Sequence, residues 1–176
     1  QHPGIMDRLV SILDKGEIGK EKSLILLVAI ISQIGETQRE YNASEIRGLS
    51  VIREFSSRYK IPKKHRELTE LFFTNRMKID SIRDKENCEV IAFLEQSDAY
   101  RRTKRFEKML SVYETCLTVR AHIDPHGRAN VRYLKKALDL TRLVNIKELS
   151  EISKVSGRGL RKALTQKRIE CLGEKI

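Results

Sequence analysis

The four histidines are the side chains best suited to metal chemistry, and their spacing gives little support for a metal site. His122 and His126 are four residues apart, a spacing that places two ligands on one face of a helix. Pro125 and Gly127 interrupt this stretch, and the spacing of the neighbouring residues suggests no third ligand. We therefore interpret the pair as surface histidines at a loop or helix end, and we predict no metal site.

Nucleophiles and phosphate-binding loops are also scarce. The glycines on either side of Arg158 are not followed by the Lys-Ser/Thr pair of a phosphate-binding loop, so we interpret them as a flexible entry into a helix. A helix N-terminus beside arginine can still bind a phosphate, and this alternative stays open. We predict no catalytic residue. Three widely spaced cysteines without a CxxC pair predict buried, reduced thiols in a cytoplasmic protein: Cys88, Cys116 and Cys171.

Clusters of arginine and lysine are the remaining chemical signal. The chain has 35 Lys+Arg against 24 Asp+Glu and a net charge of +11. Clustered cations displace counterions from phosphates, so the clusters predict a polyanionic partner, and a merely solvated face is the alternative. Two clusters are the candidate RNA-binding residues: Arg101, Arg102, Lys104 and Arg105, then Arg158, Arg161, Lys162, Lys167 and Arg168. A third group lies between them: Arg128, Arg132, Lys135 and Lys136.

The elements that position these residues are predicted to be helices. The chain has 176 residues, of which 40% are hydrophobic and 34% charged, and this mixture excludes disordered and membrane-embedded proteins. The longest apolar run, 24–31, is far shorter than the roughly 20 residues of a membrane span. Apolar residues recur every three or four positions, and glycine and proline are few, so the pattern predicts an all-α fold.

Capping residues and helix breakers divide the chain. Asn42 and Glu45 are spaced as a capping box, and the helix that they begin ends before Pro62. After the helix over 63–77, a further helix is predicted to start near residue 84, and a long helix capped by Thr103 follows it. The long helix carries a continuous apolar stripe at helical spacing: Phe106, Met109, Leu110, Tyr113 and Leu117. The tract 124–127 (DPHG) is predicted to be a turn and a subdomain boundary. The other predicted helices cover 5–14, 23–33, 63–77, 130–141, 145–154 and a basic stretch that ends at Leu172.

Three stretches carry a resemblance to a known family. Residues 94–106 (LEQSDAYRRTKRF) look like the family motif Leu-Leu-Glu-x-x-Asp-Ala-aromatic-Arg-Arg-Pro-x-Arg-Phe. Residues 42–62 match the family's helix that ends before a proline. Residues 157–169 match the closing helix of the family, which begins with glycines. Together they resemble the C-terminal half of bacterial CCA-adding tRNA nucleotidyltransferases that carry an HD phosphohydrolase domain. The resemblance implies an HD-domain-like helical bundle over 1–123 and a small C-terminal helical subdomain over 124–176.

The departures from the family concern its metal ligands. Of the metal-binding set only Asp98 has a counterpart, and one carboxylate does not hold a metal. The resemblance therefore implies that the HD phosphohydrolase activity is lost and that Asp98 is structural, paired with Arg101 or Arg102. The family's other ligand positions fall on Met6, Ser32, Gln33, Tyr41 and Ser44.

The resemblance implies a function in tRNA processing. This region would support tRNA binding through its basic surface and need no cofactor, while a nucleotidyltransferase head would add C, C and A with CTP, ATP and magnesium. The sequence contains no Gly-Ser pair followed by Asp-x-Asp, the pattern of such a head, and we expect the natural chain to begin upstream of Gln1. The alternative is a stand-alone HD-fold protein-interaction or dimerisation module without enzymatic activity. Under either hypothesis we expect no membrane contact, and a homodimer stays open.

Overall fold

The computed structural model describes residues 27–31, 44–119, 125–144 and 157–175. No strand occurs in these ranges, and the predicted all-α fold is confirmed as a helical bundle. The predicted helices at 5–14 and 145–154, and the capping residue Asn42, lie outside the described residues. Residues 27–31 are helical, and the named elements are α1 (Ser44–Arg58), α2 (Lys63–Asp80), a 3-10 turn (Ile82–Asp84), α3 (Asn87–Gln96), α4 (Thr103–Val119), α5 (Pro125–Thr141) and α6 (Arg158–Lys175).

The break between α1 and α2 forms where the sequence predicts it. Lys60 takes a left-handed conformation with φ 50°, which ends α1. The backbone N–H of Ile61 then donates to the Ser56 carbonyl at 2.8 Å, a pairing typical of a Schellman motif. Pro62 follows as the N-cap of α2 with ψ 138°, an extended conformation from which a new helix direction begins.

The start of α3 differs from the prediction by about one turn. The residues near 84 form the short 3-10 turn instead, and α3 begins at Asn87. Glu86 is the N-cap, and its carboxylate accepts from the backbone of Glu89. The Glu89 carboxylate accepts in return from the Glu86 N–H at 3.2 Å. This reciprocal pair satisfies N–H groups that the first turn of a helix leaves without partners, and it fixes the start of α3.

Two predicted helix starts are wrong. Thr103 is the first residue of α4 rather than its cap, and its hydroxyl donates to the Ala99 carbonyl at 2.9 Å. The predicted turn over 124–127 is replaced at 125–127 by the first turn of α5, which begins at Pro125. Proline suits the first helical position because the N–H that it lacks would have no intrahelical partner there.

The amide of Asn130 donates to the carbonyls of Ile79 and Asp80 at 2.9 and 2.8 Å, so α5 is tied to the end of α2.

A single cluster of buried apolar side chains connects α2 through α6. It contains Phe72 from α2, Leu94 from α3 and Leu134 and Leu172 from α5 and α6. Apolar residues before and after position 124 therefore share one core, and the subdomain boundary at 124 stays a prediction. The predicted apolar stripe of α4 lies in the same cluster: Phe106, Met109, Leu110, Tyr113 and Leu117.

The cysteines do not share one environment. Cys116 is buried and Cys171 is half-buried, whereas Cys88 is exposed, so the prediction of burial is wrong for Cys88. Cys88 lies in the first turn of α3, where its thiol is 3.6 Å from the Glu86 carboxylate. None of the three forms a disulfide.

Within the described ranges, no helix combines the length and the apolar character needed to cross a membrane.

Candidate nucleic-acid interface

Asp98 organises the first basic cluster. It occupies the position after the cap of α3 with φ 57°, and the N–H of Ala99 donates to the Leu94 carbonyl at 3.0 Å, as in a Schellman motif. Glycine is the usual residue at such a position, and aspartate is among the few others that tolerate it. The fold thus holds the Asp98 carboxylate at the junction of α3 and α4, directly before the arginines.

Three guanidinium groups share this one carboxylate. Arg101 donates to both Asp98 oxygens at 3.0 Å, and Arg102 lies 3.2 Å from Oδ2. Arg105 is more distant, at 3.9 Å from the same oxygen. The predicted pairing of Asp98 is confirmed, and the hydrogen bond from Arg101 is the main reason that the pKa of Asp98 is lowered. Because one negative charge faces three positive charges, the cluster keeps an excess of positive charge.

Much of that charge remains accessible. The side chain of Arg101 is 76% exposed and that of Arg102 is 51% exposed, against 27% for Arg105. Lys104 is exposed on the same turn of α4. Arg102 and Arg105 also line a surface cleft of about 470 Å³, together with Lys78 and an Arg53–Glu70 ion pair of 3.1 Å. Arg101, Arg102 and Lys104 are therefore the members best placed to contact a phosphate.

Arg168 of the second cluster has a different role from the predicted one. Its side chain is only 10% exposed, and its Nη1 lies 3.2 Å from Oε1 of Glu95 on α3. The guanidinium carbon lies 3.5 Å from the centre of the Tyr100 ring. Thr165 donates to the same Glu95 oxygen at 2.8 Å. These contacts hold α6 against α3, so we remove Arg168 from the candidate RNA-binding set.

The rest of the second cluster lies on the surface of α6. Arg161 and Lys162 are exposed, and no carboxylate in the described part of the chain forms an ion pair with either. Lys167 is exposed and lies 3.1 Å from Glu170, and this contact lowers the pKa of Glu170. Arg158 is the first residue of α6. Arg161 and Lys162 are thus the residues of this cluster whose charge is most available.

The intermediate group on α5, which is outside the candidate set, is also exposed. Arg128, Arg132 and Lys136 follow one another at intervals of four residues, and each is exposed. Their helical spacing is the sequence signal that predicts a common face.

Potential metal ligands are not brought together in the described residues. No group of three or more His, Cys, Asp or Glu side chains there could hold a metal ion. His126 is exposed on α5. Positions 6, 32, 33, 41 and 122 lie outside the described residues, so the predicted loss of the HD metal site stays a prediction.

Comparison with known proteins finds similarity to multifunctional CCA proteins of Pseudomonas species. The chain is 25% identical over 179 residues to the multifunctional CCA protein of Pseudomonas fluorescens, with 97% of this chain and 44% of that protein covered. It is 28% identical over 133 residues to that of Pseudomonas aeruginosa, with 74% and 32% covered. For Pseudomonas savastanoi the identity is 23% over 170 residues, with 93% and 41% covered.

The matches extend over most of this chain but not over most of the relatives. No family model and no solved structure matches the chain. The chain spans less than half the length of the curated relatives that it matches. The chain is thus similar to one region of the multifunctional CCA proteins.

Proposed function

We propose that this chain supports the binding of tRNA to a CCA-adding nucleotidyltransferase and that it does so through exposed cations. The similarity to multifunctional CCA proteins, which covers 97% of this chain, is the observation that carries the proposal. The net charge of +11 and the exposed cations of α4 and α6 support it. Cytoplasmic location follows from the same proposal, because tRNA matures there in bacteria.

The proposed contacts are made to the RNA backbone. Double-stranded RNA is recognised chiefly by shape and by its phosphates and 2′-hydroxyls, because side chains cannot read its deep, narrow major groove. Exposed lysine and arginine side chains suit this task, and the low aromatic content of 6% does not hinder it. In the proposed whole protein, a separate head would add C, C and A with CTP, ATP and magnesium. This region would hold the outer part of the tRNA.

The test is the affinity of the chain for tRNA as a function of salt concentration. We expect the logarithm of the association constant to fall linearly with that of the salt concentration, with a slope near one per phosphate contact. Reversing three charges of α6 (Arg161→Glu, Lys162→Glu, Lys167→Glu) is expected to weaken binding at least tenfold and to reduce the slope by about 2–3.

A matched control reverses the same number of charges elsewhere. Lys60, Lys63 and Lys64 are exposed at the junction of α1 and α2, and their replacement by glutamate is expected to change the affinity less than threefold. Equal effects of the two triple variants would contradict specific contacts on α6. If the wild-type chain binds no tRNA but forms a stable dimer, the alternative of a dimerisation module is favoured.

We further propose that the HD-like region has no phosphohydrolase activity. The resemblance implies that serine, glutamine, tyrosine and methionine replace the family's other metal ligands here. The Asp98 carboxylate is already paired with Arg101 and Arg102. Addition of nickel, manganese or magnesium is expected neither to support the hydrolysis of 2′,3′-cyclic nucleotides to nucleoside 2′- or 3′-monophosphates nor to raise Tm. Turnover that a chelator abolishes would contradict this proposal.

A further inference from the structure

We infer that the outer face of α5 is a second RNA-backbone contact surface, formed by Arg128, Arg132 and Lys136 with Tyr133 and Arg83 along one edge. The inference rests on the proposed function and extends it to a face outside the two candidate clusters. We call these five residues the α5 surface.

The helix geometry places the three cations in a row. Residues four apart on an α-helix are separated by about 6 Å along the axis and by about 40° around it, so positions 128, 132 and 136 form a slightly tilted row about 12 Å long. The opposite face of α5 is buried in the core through Val131, Leu134 and Ala137. The core therefore fixes the rotation of α5 about its axis and directs the row towards solvent.

Ion pairing distinguishes the three cations of the row from two neighbouring cations, which are paired with carboxylates. Lys135 lies 3.6 Å from Glu114, and Arg142 lies 3.4 Å from Asp139. Among the described residues, no carboxylate forms an ion pair with Arg128, Arg132 or Lys136. The charge of the row is thus available to an external anion, whereas nearby carboxylates already neutralise Lys135 and Arg142.

Tyr133 and Arg83 extend the row towards the 3-10 turn. Tyr133 is half-buried, and its ring packs against the core. Arg83 lies on the 3-10 turn, which packs against α5. Burial raises the pKa of the Tyr133 hydroxyl, while the positive charge of Arg83 acts in the opposite direction. A phenol that stays protonated and is partly exposed beside cations can donate to a phosphate oxygen or stack on a sugar or base.

The repeated charge fits a polymer better than a single anion. A small anion needs several donors that converge on one point, whereas these three cations are spread along a line. No large apolar side chain is exposed within the row itself, so insertion into a lipid surface is not favoured. Evenly spaced phosphates of a nucleic-acid strand match such a line, and a folded RNA also offers the stacking partner for Tyr133.

The test compares two pairs of substitutions on α5 and on Arg142, the residue that follows it. Arg128→Gln with Arg132→Gln removes two charges of the α5 surface, and Lys135→Gln with Arg142→Gln removes two cations that carboxylates already neutralise. The variants have the same net charge. We expect the first pair to lower the affinity for tRNA about tenfold and to reduce the salt slope by about 2, and the second pair to change the affinity less than threefold.

Each outcome decides the question. A wild-type chain that does not bind tRNA would contradict the proposed function itself. If the wild type binds and the two double variants lose affinity equally, or neither does, then the α5 surface is not a contact and the inference fails. Stronger competition by polyglutamate than by an unrelated folded RNA would overturn RNA as the class of partner. Circular dichroism and Tm of both variants show whether each is folded.

Discussion

Arginines that look equivalent in the sequence have different environments in the folded protein. Arg101 and Arg102 share a local carboxylate and stay accessible, whereas Arg168 is buried between Glu95 and the ring of Tyr100. The difference follows from the position on the helix, because α6 packs against α3 on the side that carries Arg168. A basic cluster is therefore a mixture of structural and solvent-accessible groups, and substitutions can separate them.

Replacement of Arg168 by leucine is expected to destabilise the protein by about 2–4 kcal/mol. The change leaves the Glu95 carboxylate half-buried without its cationic partner and removes the contact with the Tyr100 ring, and both losses carry a cost. Urea unfolding measures the difference. Lys162→Leu, on the exposed side of the same helix, is the control and is expected to cost less than about 0.5 kcal/mol. A similar cost for both substitutions would show that Arg168 does not hold α6 in place.

Replacement of Asp98 by asparagine is expected to lower the stability at pH 7 by about 0.5–1 kcal/mol. Asparagine tolerates the left-handed conformation, so the variant removes the charge without adding backbone strain. Arg101 lowers the pKa of Asp98 in the folded state, so the stabilisation is complete above the ordinary carboxyl pKa and disappears as the pH falls through the lowered one.

The pH dependence of this difference is the measurement. We expect the gap in unfolding free energy between wild type and Asp98→Asn to stay constant from neutral pH to about pH 5 and to close below about pH 4. Asp98→Gly, which also favours the left-handed conformation, is expected to behave in the same way. A gap that does not change with pH would show that the ion pairs with the arginines add nothing.

At the scale of the elements, the close approach of two helices determines where α5 packs against α4. Helix α5 crosses α4 so closely at Gly127 that an added Cβ would lie 2.6 Å from Leu117 Cδ1. Leu117 is only 5% exposed, so its side chain has little room to move. Further along α5, Asn130 donates to the Ile79 carbonyl near the end of α2. On α4, the Tyr113 hydroxyl donates to the carboxylate of Asp80, the last residue of α2. Glycine and polar links together position the helix that carries the α5 surface.

Two of the helical glycines give a matched test of this crossing. Gly127→Ala is expected to destabilise the protein by about 1–2 kcal/mol, because overpacking against Leu117 outweighs the better helix propensity of alanine. Gly173→Ala is the control: its Cβ would meet only the end of the Asn87 side chain, at 3.1 Å. This substitution is expected to be neutral or to stabilise by up to about 1 kcal/mol. A stabilising Gly127→Ala in thermal or urea unfolding would mean that the helices are not in close contact there.

At the scale of the whole molecule, the shared core connects the two predicted subdomains. Leu134 and Leu172, which follow the predicted boundary, belong to the same buried cluster as Phe72 and Leu94 before it. The hydroxyls of Tyr100 and Thr141 are also 2.9 Å apart across the boundary. Structural changes in one part should therefore affect the other.

We expect the chain to unfold in a single cooperative transition. Hydrogen exchange read by mass spectrometry is the measurement: the most protected amides of α4 and of α5 should exchange with the same free energy of opening. Leu134→Ala in α5 should lower both values equally, by about 2–4 kcal/mol. Two separate transitions, or protection lost in α5 alone, would instead support the predicted division at residue 124.

The sequence alone was sufficient to predict the helical character of the described elements and the apolar stripe of α4, because helical periodicity and breakers such as Pro62 act within a few residues. The pairing of Asp98 was predictable for the same reason, since Arg101 lies three residues away. The start of α5 was not predicted, because a proline in a turn and a proline in a first helical turn have similar local signals. The exposure of Cys88 likewise depended on which face of α3 packs against the core.

Only the tertiary structure decided which cations are available to a ligand. Arg168 meets Glu95 across 73 residues of sequence, and Lys135 meets Glu114 from a neighbouring helix. Such pairs form because packing brings distant charges together, and no local pattern records them. Charge composition therefore indicated a polyanionic partner, while the arrangement of the helices selected the arginines and lysines that can meet it.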